Sequence, residues 1–432
     1  MPFETGRDAA RRIAVIGAGI SGLGAAHLLA DGNHVVLFEA EGRLGGHART
    51  ITAGIRGDQP VDTGFIVFNR VNYPNLVRLF EELGVETAPS KMSFGASIDG
   101  GRIEYGLADI KTIFAQKRNL VRPQFLRMIR DIVHFNANAR TAATDPSMTI
   151  GELSHKLGLG DWFRTHYIAP FSGAIWSTPT DKILDFPAEA MVRFFENHAL
   201  LNYSDQHQWF TVRGGSRSYV DRLAARLFSR GVDIRAGAAV NAVRRTGLGV
   251  EVKADGGEWE GFDEVVFATH SDDTLRLLSD ATGVERLALS FIRYQPNEAV
   301  LHRDTGMMPR RRSCWSSWVY SSGRGEVPGR IGLTYWMNSL QPIPTSDPLF
   351  VTLNATRAIR EETIYDQTTF RHPVYDTAAL AAQETVRAIN GMNRTWFCGA
   401  WMKNGFHEDG LASAVDVAEA MRTEQVLPIA AE

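Results

Sequence analysis

Cysteine is nearly absent from this chain, which has only Cys314 and Cys398 and no CxxC spacing. Neither a disulfide framework nor a cysteine-rich metal site is therefore expected, and a reducing compartment is the default. The histidines are scattered and the HxxxH pairs of a diiron centre are missing, so we predict no metal site.

The chain also lacks long apolar runs and an excess of charge of one sign. No run approaches the roughly 20 residues needed to cross a bilayer. The net charge of −3, from 46 basic and 49 acidic residues, gives no global field that would attract nucleic acid. The opening residues, MPFETGRDAARR, are polar and mixed in charge, so we expect no secretory signal and predict a cytoplasmic protein.

A glycine-rich turn follows the first apolar run. Residues 13–17, IAVIG, predict a buried strand, residues 20–32 a helix ending near Gly32, and residues 34–40, HVVLFEA, a second strand. Gly17, Gly19 and Gly22 fill a GxGxxG motif, whose glycines allow a tight turn, a close approach to a pyrophosphate, and helix–strand packing. Such turns also serve packing alone, but the βαβ context favours a dinucleotide whose phosphate lies at the helix N-terminus.

Glu39 ends the second predicted strand. A carboxylate at this position can accept hydrogen bonds from a ribose diol, which favours FAD or NAD over a 2′-phosphorylated cofactor. No second GxGxxG follows a later strand, so a separate nicotinamide domain is not expected.

A second glycine pair comes directly after this unit, in EAEGRLGGHART at residues 39–50. This stretch resembles the E-x(3)-R-x-G-G-R-x-x-T signature of the flavin-containing amine oxidase superfamily, which includes monoamine oxidases, protoporphyrinogen oxidases and phytoene desaturases. The resemblance implies an FAD-dependent oxidoreductase whose FAD pyrophosphate is held by both turns, with Arg43 as a cationic contact. His47 stands where the family usually has arginine.

The same resemblance recurs in order along the chain, in VDTGFIVFN (61–69), FTVRGGSRSYVDRLAARL (210–227), DEVVFATH (263–270) and WFCGAWMKNGFHEDGLASAVDVAEAM (396–421). It implies that residues 410–412 start a helix aimed at the flavin pyrimidine ring. The cofactor-binding residues that follow from the motif and the resemblance are Gly17, Gly19, Ile20, Ser21, Gly22, Glu39, Ala40, Arg43, Gly45, Gly46, His47, Gly64, Phe65, Ile66, Val240, Gly399, Ala400, Gly410, Leu411 and Ala412.

The predicted fold is α/β, with a Rossmann-like FAD-binding domain interlaced with an α+β substrate domain. Residues 1–69, 210–284 and 376–432 are assigned to the discontinuous FAD-binding domain. Residues 70–209 and 285–375 are too long for loops and are assigned to the substrate domain, with a helical subdomain at about 108–165 that could face a membrane.

Aromatic residues are dense in the segments assigned to the substrate domain. Most aromatic side chains taken singly are core residues, but beside a flavin the set favours an apolar tunnel over a site for a charged amine. The tunnel is predicted to include Trp176, Trp315, Trp318 and Tyr335.

Residues 110–135 form a basic stretch, IKTIFAQKRNLVRPQFLRMIRDIVHF. It predicts two basic amphipathic helices that meet at Pro123, with Ile113, Phe114, Leu120, Phe125, Leu126 and Ile129 on their apolar sides. They could contact the inner face of an anionic membrane peripherally, or they could pack on their own domain as a solvated helix pair.

The organisation of the chain most resembles a bacterial branch of the superfamily described as predicted NAD/FAD-binding proteins. That branch includes methyl-branched fatty acid desaturases of furan fatty acid synthesis. The resemblance implies removal of two hydrogens from an unsaturated, methyl-branched fatty acyl chain of a membrane lipid, with hydride transfer to flavin N5 and reoxidation by dioxygen or a quinone.

Candidate catalytic residues are His407, expected to titrate in the physiological range, and His198. Glu408 and Asp409 could instead cap the predicted helix. The alternatives are oxidation of a C–N bond, with an aromatic sandwich and a lysine-bound water near N5, oxidation of another apolar polyene or tetrapyrrole-like substrate, or a non-catalytic flavin or lipid carrier.

Overall fold

The computed structural model describes residues 10–202, 206–323 and 330–426. Residues 1–9, on which most of the expectation about a secretory signal rests, lie outside the described residues. The helices are α1 (Ile20–Leu29), α2 (Pro74–Leu83), α3 (Ile110–Ile113), α4 (Pro123–Ala142), α5 (Ile150–Lys156), α6 (Asp161–Phe163), α7 (Ala169–Trp176), α8 (Ala188–Asn197), α9 (Arg217–Ser229), α10 (Ser271–Leu277), α11 (Gly283–Phe291), α12 (Met337–Leu340), α13 (Thr377–Ile389) and α14 (His407–Val426).

Strands alternate with these helices along the chain. They are β1 (Arg12–Ile16), β2 (His34–Glu39), β3 (Thr50–Ala53), β4 (Gln59–Asp62), β5 (Phe68–Asn69), β6 (Thr87–Ser90), β7 (Phe94–Ile98), β8 (Ile103–Gly106), β9 (Trp209–Val212), β10 (Asp233–Ala236), β11 (Val240–Arg245), β12 (Val250–Ala254), β13 (Trp259–Phe262), β14 (Glu264–Phe267), β15 (Arg293–His302), β16 (Trp318–Ser321), β17 (Leu333–Trp336), β18 (Phe350–Leu353), β19 (Ile364–Val374) and β20 (Thr395–Phe397). The mixed α/β fold predicted from the sequence is confirmed.

A five-stranded parallel sheet in the order β10-β2-β1-β14-β20 forms the first of two large sheets in the fold. Its central strand β1 is buried on both sides, as parallel strands covered by helices are. Ile13 and Val15 belong to the core beneath α1 and α14, whereas Ala14 and Ile16 belong to the core shared with β11–β13 and α13. The predicted strand–helix–strand unit is therefore present, although α1 ends at Leu29 because Gly32, with φ +83°, lies in the following turn.

A seven-stranded mixed sheet forms the second layer, in the order β19-β15-β18-β17-β16-β7-β8. Its strands come from residues 94–106 and 293–374, within the segments assigned to the substrate domain. A large apolar core packs one face of this sheet against helices α4 to α8. A small cluster of Met308, Val319 and Phe350 covers part of the other face, with Trp315 and Trp336 beside it.

The predicted pair of basic helices is only partly correct. The second is α4, whose buried face carries Phe125, Met128 and Phe135. The first is instead the four-residue α3 followed by a 3₁₀ turn at Lys117–Val121. Arg122 is extended, as the residue before a proline prefers to be, and it separates the two elements.

None of the helices in the described ranges combines the length and the hydropathy that a bilayer crossing requires.

Candidate functional site

The three glycines of the first turn have distinct structural roles. Gly17 has φ +98° and donates its N–H to the Phe38 carbonyl at 2.8 Å, which closes the turn after β1. A Cβ at Gly22 would overlap the Gly17 carbonyl oxygen, so helix and strand pack without a side chain between them. A Cβ at Gly19 would meet no atom within 4 Å, which leaves open space in front of the helix.

The N-terminus of α1 faces this open space. Gly19 precedes the helix and no side chain caps its first turn. Uncapped N–H groups and the helix dipole attract an anion at such a position. The Glu39 carboxylate lies beside the turn, where it accepts hydrogen bonds from the Ala18 N–H at 2.7 Å and the Glu41 N–H at 2.9 Å. It keeps further acceptor capacity for a diol.

The second glycine turn packs directly on the first. The Gly45 N–H donates to the Ala18 carbonyl at 2.8 Å. Gly46 has φ +54°, and a Cβ there would come within 3.1 Å of the Gly19 Cα. Arg43 donates to the Gly46 carbonyl at 3.0 Å and pairs with Glu41 at 2.9 Å, so its guanidinium is held beside the turn. The two turns thus pack directly against each other, with Gly46 beside Gly19.

His47 lies immediately after this second turn and is half-buried, with its Nε2 atom inside. Its ring stacks on Phe370 at a centroid distance of 4.9 Å, and burial lowers its pKa to about 4. Within the described residues its Nε2 has no hydrogen-bond partner. A buried polar atom without a partner is costly, so His47 offers a neutral hydrogen-bonding group to a ligand in the cradle.

A second helix N-terminus meets the first. A Cβ at Gly410 would lie 2.8 Å from Ser21 Oγ and 3.0 Å from Ile20 Cγ2, so α14 and α1 begin side by side. The expected helix start at residues 410–412 is wrong, because α14 begins at His407. Gly410 therefore lies in the first turn, and both helix dipoles point toward the same region.

The other predicted cofactor residues lie around these helix starts. Phe65 donates its N–H to the His47 carbonyl at 2.8 Å, and the Gly399 N–H donates to Ser413 Oγ at 2.8 Å. Val240 begins β11 just after Ala238, whose N–H donates to the Glu39 carbonyl at 2.9 Å. The rest of the set is Ala40 after β2, Gly64 and Ile66 beside Phe65, Ala400 next to Gly399, and Leu411 and Ala412 in α14.

The structure corrects the expected titration of His407. Its ring stacks on Phe65 at 3.9 Å and its Nε2 shares a 2.6 Å hydrogen bond with the Tyr219 hydroxyl. Burial lowers the pKa of His407 to about 3, so the ring is neutral at physiological pH. Burial likewise lowers the pKa of His270 and of His372 to about 3.

His270 also belongs to a group with Asp272 and Asp273 whose ligand atoms lie within 4.8 Å of one another. The guanidinium of Arg371 contacts all three of these side chains. It donates to Asp272 at 2.6 Å and to His270 at 3.1 Å, and it also pairs with Asp273. The guanidinium therefore compensates the two carboxylates.

A cavity of about 630 Å³ opens at the start of α14, on the side away from α1. Its buried lining is aromatic, with Tyr73 and Phe194 only 5% and 7% exposed and Phe406 stacked on Phe194 at 4.9 Å. Its exposed lining is charged and includes Arg193 and Glu384. Sequence reasoning missed Tyr73 and Phe406, although Phe406 directly precedes His407.

His198 lies in the aromatic lining of this cavity. Its Nδ1 hydrogen-bonds the Phe194 carbonyl at 2.9 Å, an acceptor, so Nδ1 carries the proton and Nε2 is the basic nitrogen. Burial lowers the pKa of His198 to about 4, which keeps the ring neutral.

Two of the carboxylates that line the cavity, Glu408 and Asp409, belong to the first turn of α14, and the structure shows what they bind. Glu408 accepts hydrogen bonds from the N–H groups of Asn75 and Leu76 at 3.0 and 2.9 Å, so it caps α2 rather than α14. Asp409 accepts the Phe406 N–H at 2.9 Å, and burial raises the pKa of this carboxyl to about 6.

The predicted tunnel residues do not form one group. Trp176 packs on Phe194 at 5.0 Å, and Trp318 packs on Tyr335 at 5.3 Å, all in the large apolar core. Trp315 is a correction, because it packs instead on Trp336 in the small cluster at the other face of the sheet. Trp315 lies in the turn before β16. The alternation of side chains between the two faces of a strand, which determines the face of Trp318, therefore does not apply to it.

Comparison with known proteins identifies the family. Residues 20–297 match the family described as flavin containing amine oxidoreductase. A Mycobacterium tuberculosis protein named as a flavin-containing monoamine oxidase, AofH, is 28% identical over 271 residues, which cover 57% of this chain and 54% of that protein. Mitochondrial protoporphyrinogen oxidase of Nicotiana tabacum is 45% identical over 62 residues, 14% of this chain and 12% of that protein. The chain thus matches about half the length of the first of these relatives.

Solved structures match nearly the whole chain at low identity. A fatty acid isomerase from P. acnes that produces CLA has a TM-score of 0.69 at 15% identity, covering 96% of this chain and 99% of its own. Putrescine oxidase bound to putrescine has a TM-score of 0.67 at 16% identity with the same coverage. At these identities the similarity shows the fold alone.

Four half-buried histidines make the stability of the flavin-free protein depend on pH. For His47, His270, His372 and His407 the folded pKa lies below the ordinary value of 6.5, so their contribution is full above pH 6.5 and is lost as the pH falls toward 4. Between pH 6.5 and pH 5, each of these histidines lowers the free energy of unfolding by up to about 2 kcal/mol. The buried carboxyls of Asp62 and Asp409, whose pKa values are raised to about 6, act in the opposite direction but are fewer.

We therefore expect the thermal midpoint to fall steeply from pH 6.5 to pH 5, measured by scanning calorimetry at several pH values. His372→Asn should lower the number of protons taken up on unfolding by about one. Leu248→Asn, at a position that is 94% exposed, removes no titrating group; it is the control and should leave that number unchanged. A midpoint that is flat over this range would contradict the assignment of neutral, half-buried histidines.

Proposed function

The chain belongs to the flavin-containing amine oxidoreductase family, and from that premise we propose that it removes two hydrogens from an unsaturated fatty acyl chain. The match over residues 20–297 establishes the family, and membership of that family implies an FAD-dependent oxidoreductase. The acyl substrate and the desaturase reaction are our proposal.

The residues of the two glycine turns fit FAD. Open space in front of Gly19, an uncapped helix start and the unpartnered Nε2 of His47 are the features that a bound pyrophosphate requires. In this assignment Glu39 holds the ribose diol, and Arg43 holds the phosphates with the two turns. The α14 N-terminus stabilises negative charge at the flavin pyrimidine ring.

The aromatic lining of the cavity at the α14 start is the observation that carries the proposal. Tyr73, Phe194 and Phe406 offer an apolar wall to an acyl chain, while the charged residues at the opening remain in water. An amphiphile with an apolar tail and a polar head matches both parts. Neutral His198 adds a polar group to this wall without adding charge.

The chemistry divides between cofactor and chain. When bound, FAD supplies a two-electron acceptor that takes a hydride from an allylic carbon of the acyl chain. The second hydrogen leaves the neighbouring carbon as a proton, and a conjugated diene results. We assign the acceptance of that proton to Nε2 of His198, whose Nδ1–H is held by the Phe194 carbonyl. The aromatic wall excludes water and orients the chain.

Oxidation of a C–N bond is the second candidate, and one observation favours it. Glu408 and Asp409 line the same cavity and could attract an ammonium group. Both carboxylates, however, already accept backbone hydrogen bonds, and burial raises the pKa of each. Lys403 also lines this cavity, but its ammonium group pairs with Asp416 at 3.1 Å.

We further propose a methyl-branched acyl chain carried by a membrane lipid, on the resemblance to the bacterial branch that includes such desaturases. A neighbouring double bond is chemically necessary, because an isolated alkane carbon is a poor hydride donor. Dioxygen or a quinone is the proposed final electron acceptor.

The first test is an anaerobic visible spectrum of the purified flavoprotein. Phospholipid bearing methyl-branched monounsaturated chains should bleach the flavin band, whereas a polyamine should not, because the cavity wall is apolar. Bleaching by the polyamine alone would replace the proposal with C–N oxidation. Bleaching by neither, with dithionite still effective, would reject both.

Variants locate the reaction in the cavity. His198→Gln keeps the shape of the side chain but removes the basic nitrogen, so lipid-driven reduction should slow by at least about 100-fold. His134→Gln, at an exposed helix position, should reduce at the wild-type rate. An unchanged rate in His198→Gln would exclude this histidine as the proton acceptor.

The cofactor site is tested by Gly19→Val. The backbone at Gly19 is extended and a Cβ would meet no protein atom, so the variant should fold normally and yet block the space for the pyrophosphate. We expect loss of the flavin absorbance with an unchanged thermal midpoint of the flavin-free protein. Gly42→Ala, also in open space, is the matched control and should keep its flavin. Stoichiometric FAD in Gly19→Val would contradict the placement.

A further inference from the structure

A pocket rich in arginine lies in the substrate domain, at the turn between β7 and β8. Its volume is about 630 Å³ and its cationic lining is Arg102, Arg118, Arg310 and Arg311. Asp99 is the acidic residue of the lining. We refer to this site as the arginine pocket.

The positive charge of the arginine pocket is only partly compensated. Arg311 pairs with the buried carboxylate of Glu104 at 2.7 Å, and the Arg310 N–H donates to the same carboxylate at 2.8 Å. In the described part of the chain, the guanidinium groups of Arg102, Arg118 and Arg310 have no carboxylate within ion-pair distance. A multivalent anion would therefore gain several charge-assisted contacts here.

The segment beside the pocket is built with its polar residues inside and its apolar residues outside. Gln116 and Asn119 are buried and bond the backbone of β8, Gln116 by accepting the Glu104 N–H at 3.1 Å and Asn119 by donating to the Glu104 carbonyl at 3.2 Å. Because these hydrogen bonds hold Gln116 and Asn119 inside, Leu120 and Val121 point outward, with exposed fractions of 51% and 82%.

A third apolar side chain of the same stretch of sequence is also exposed. Ile110, at the start of α3, is 76% exposed. We call Ile110, Leu120 and Val121 the apolar rim. Lys111, Lys117 and Arg118 lie between these residues in the sequence and are exposed as well. The rim is thus interleaved with cationic residues.

We propose that this face docks the protein on an anionic phospholipid bilayer, with a headgroup phosphate in the arginine pocket and the apolar rim in the headgroup–acyl boundary. Charge complementarity argues for the anionic surface, and exposed aliphatic side chains among cations are typical of interfacial anchors. A single-stranded nucleic acid fits less well, because the aromatic rings it would stack on are absent from the rim. The proposal is independent of the proposed reaction.

The electrostatics of Arg122 support this picture. The pKa of its guanidinium is lowered by burial and by the nearby charges of Arg118 and Arg102. The positive charges of Arg102, Arg118 and Arg122 therefore lie close enough to repel one another. An anionic surface would relieve that repulsion, and added salt should weaken the attraction.

The test is co-sedimentation of the FAD-loaded protein with vesicles. We expect binding to vesicles of phosphatidylcholine mixed with phosphatidylglycerol and little binding to phosphatidylcholine alone. The double variant Arg118→Glu/Arg310→Glu should bind the mixed vesicles at least about tenfold more weakly. Leu120→Ser/Val121→Ser should also bind more weakly, because the apolar contribution is lost.

Matched controls separate this surface from general effects. Arg56→Glu and Leu248→Ser change exposed residues elsewhere and should bind like the wild type. Flavin absorbance and anaerobic reduction by dithionite report folding of each variant. Equal binding to both kinds of vesicle, no binding, or an unaffected arginine double variant would overturn the proposal. If the protein does not bind vesicles but inorganic phosphate binds the arginine pocket, the pocket is a site for a free anion instead.

Discussion

The side-by-side packing of two helix starts is the constraint on which the site depends. α1 and α14 begin against each other because Gly410 meets Ile20 and Ser21 without a side chain of its own. The second glycine turn closes against the same place, with Gly46 beside Gly19. Backbone N–H groups from two helices then face one region, where an extended anionic cofactor gains from both dipoles. The pieces lie far apart in sequence, so only the packed fold assembles them.

The first turn of α14 also divides two environments. Gly410 faces α1 and the cofactor cradle, whereas Glu408 and Asp409 face the aromatic cavity. At this boundary His198 and His407 are half-buried, and their lowered pKa values keep both rings neutral. A neutral imidazole has a free lone pair that can accept a proton, while burial, which lowers the pKa of His198 to about 4, makes it a weaker base than an exposed histidine. The arginine pocket shares no lining residue with this cavity and lies at the turn between β7 and β8.

The local parts of the account could be read from the sequence, and the long-range parts could not. Gly17, Gly19 and Gly22 follow a motif whose spacing sets the backbone, so their structural roles were predictable. The capping of α2 by Glu408 joins residues more than 300 positions apart and leaves no local signal. The neutrality of His407 depends on burial under Phe65 and Tyr219, which no pattern around residue 407 reveals.

Two errors have simple physical origins. Trp315 lies in a turn before β16, where the alternation of a strand does not determine the face. Residues 110–122 have the composition of a helix. The buried side chains of Gln116 and Asn119 hydrogen-bond the backbone of β8, however, and the chain there forms a 3₁₀ turn and not a continuous α-helix.

Mass spectrometry of the lipid after a single anaerobic turnover tests the central claim most directly. Loss of two hydrogens from the branched acyl chain, with one conjugated diene formed for each flavin reduced, is the result that the account predicts. An acyl chain recovered unchanged while the flavin is reduced would contradict it.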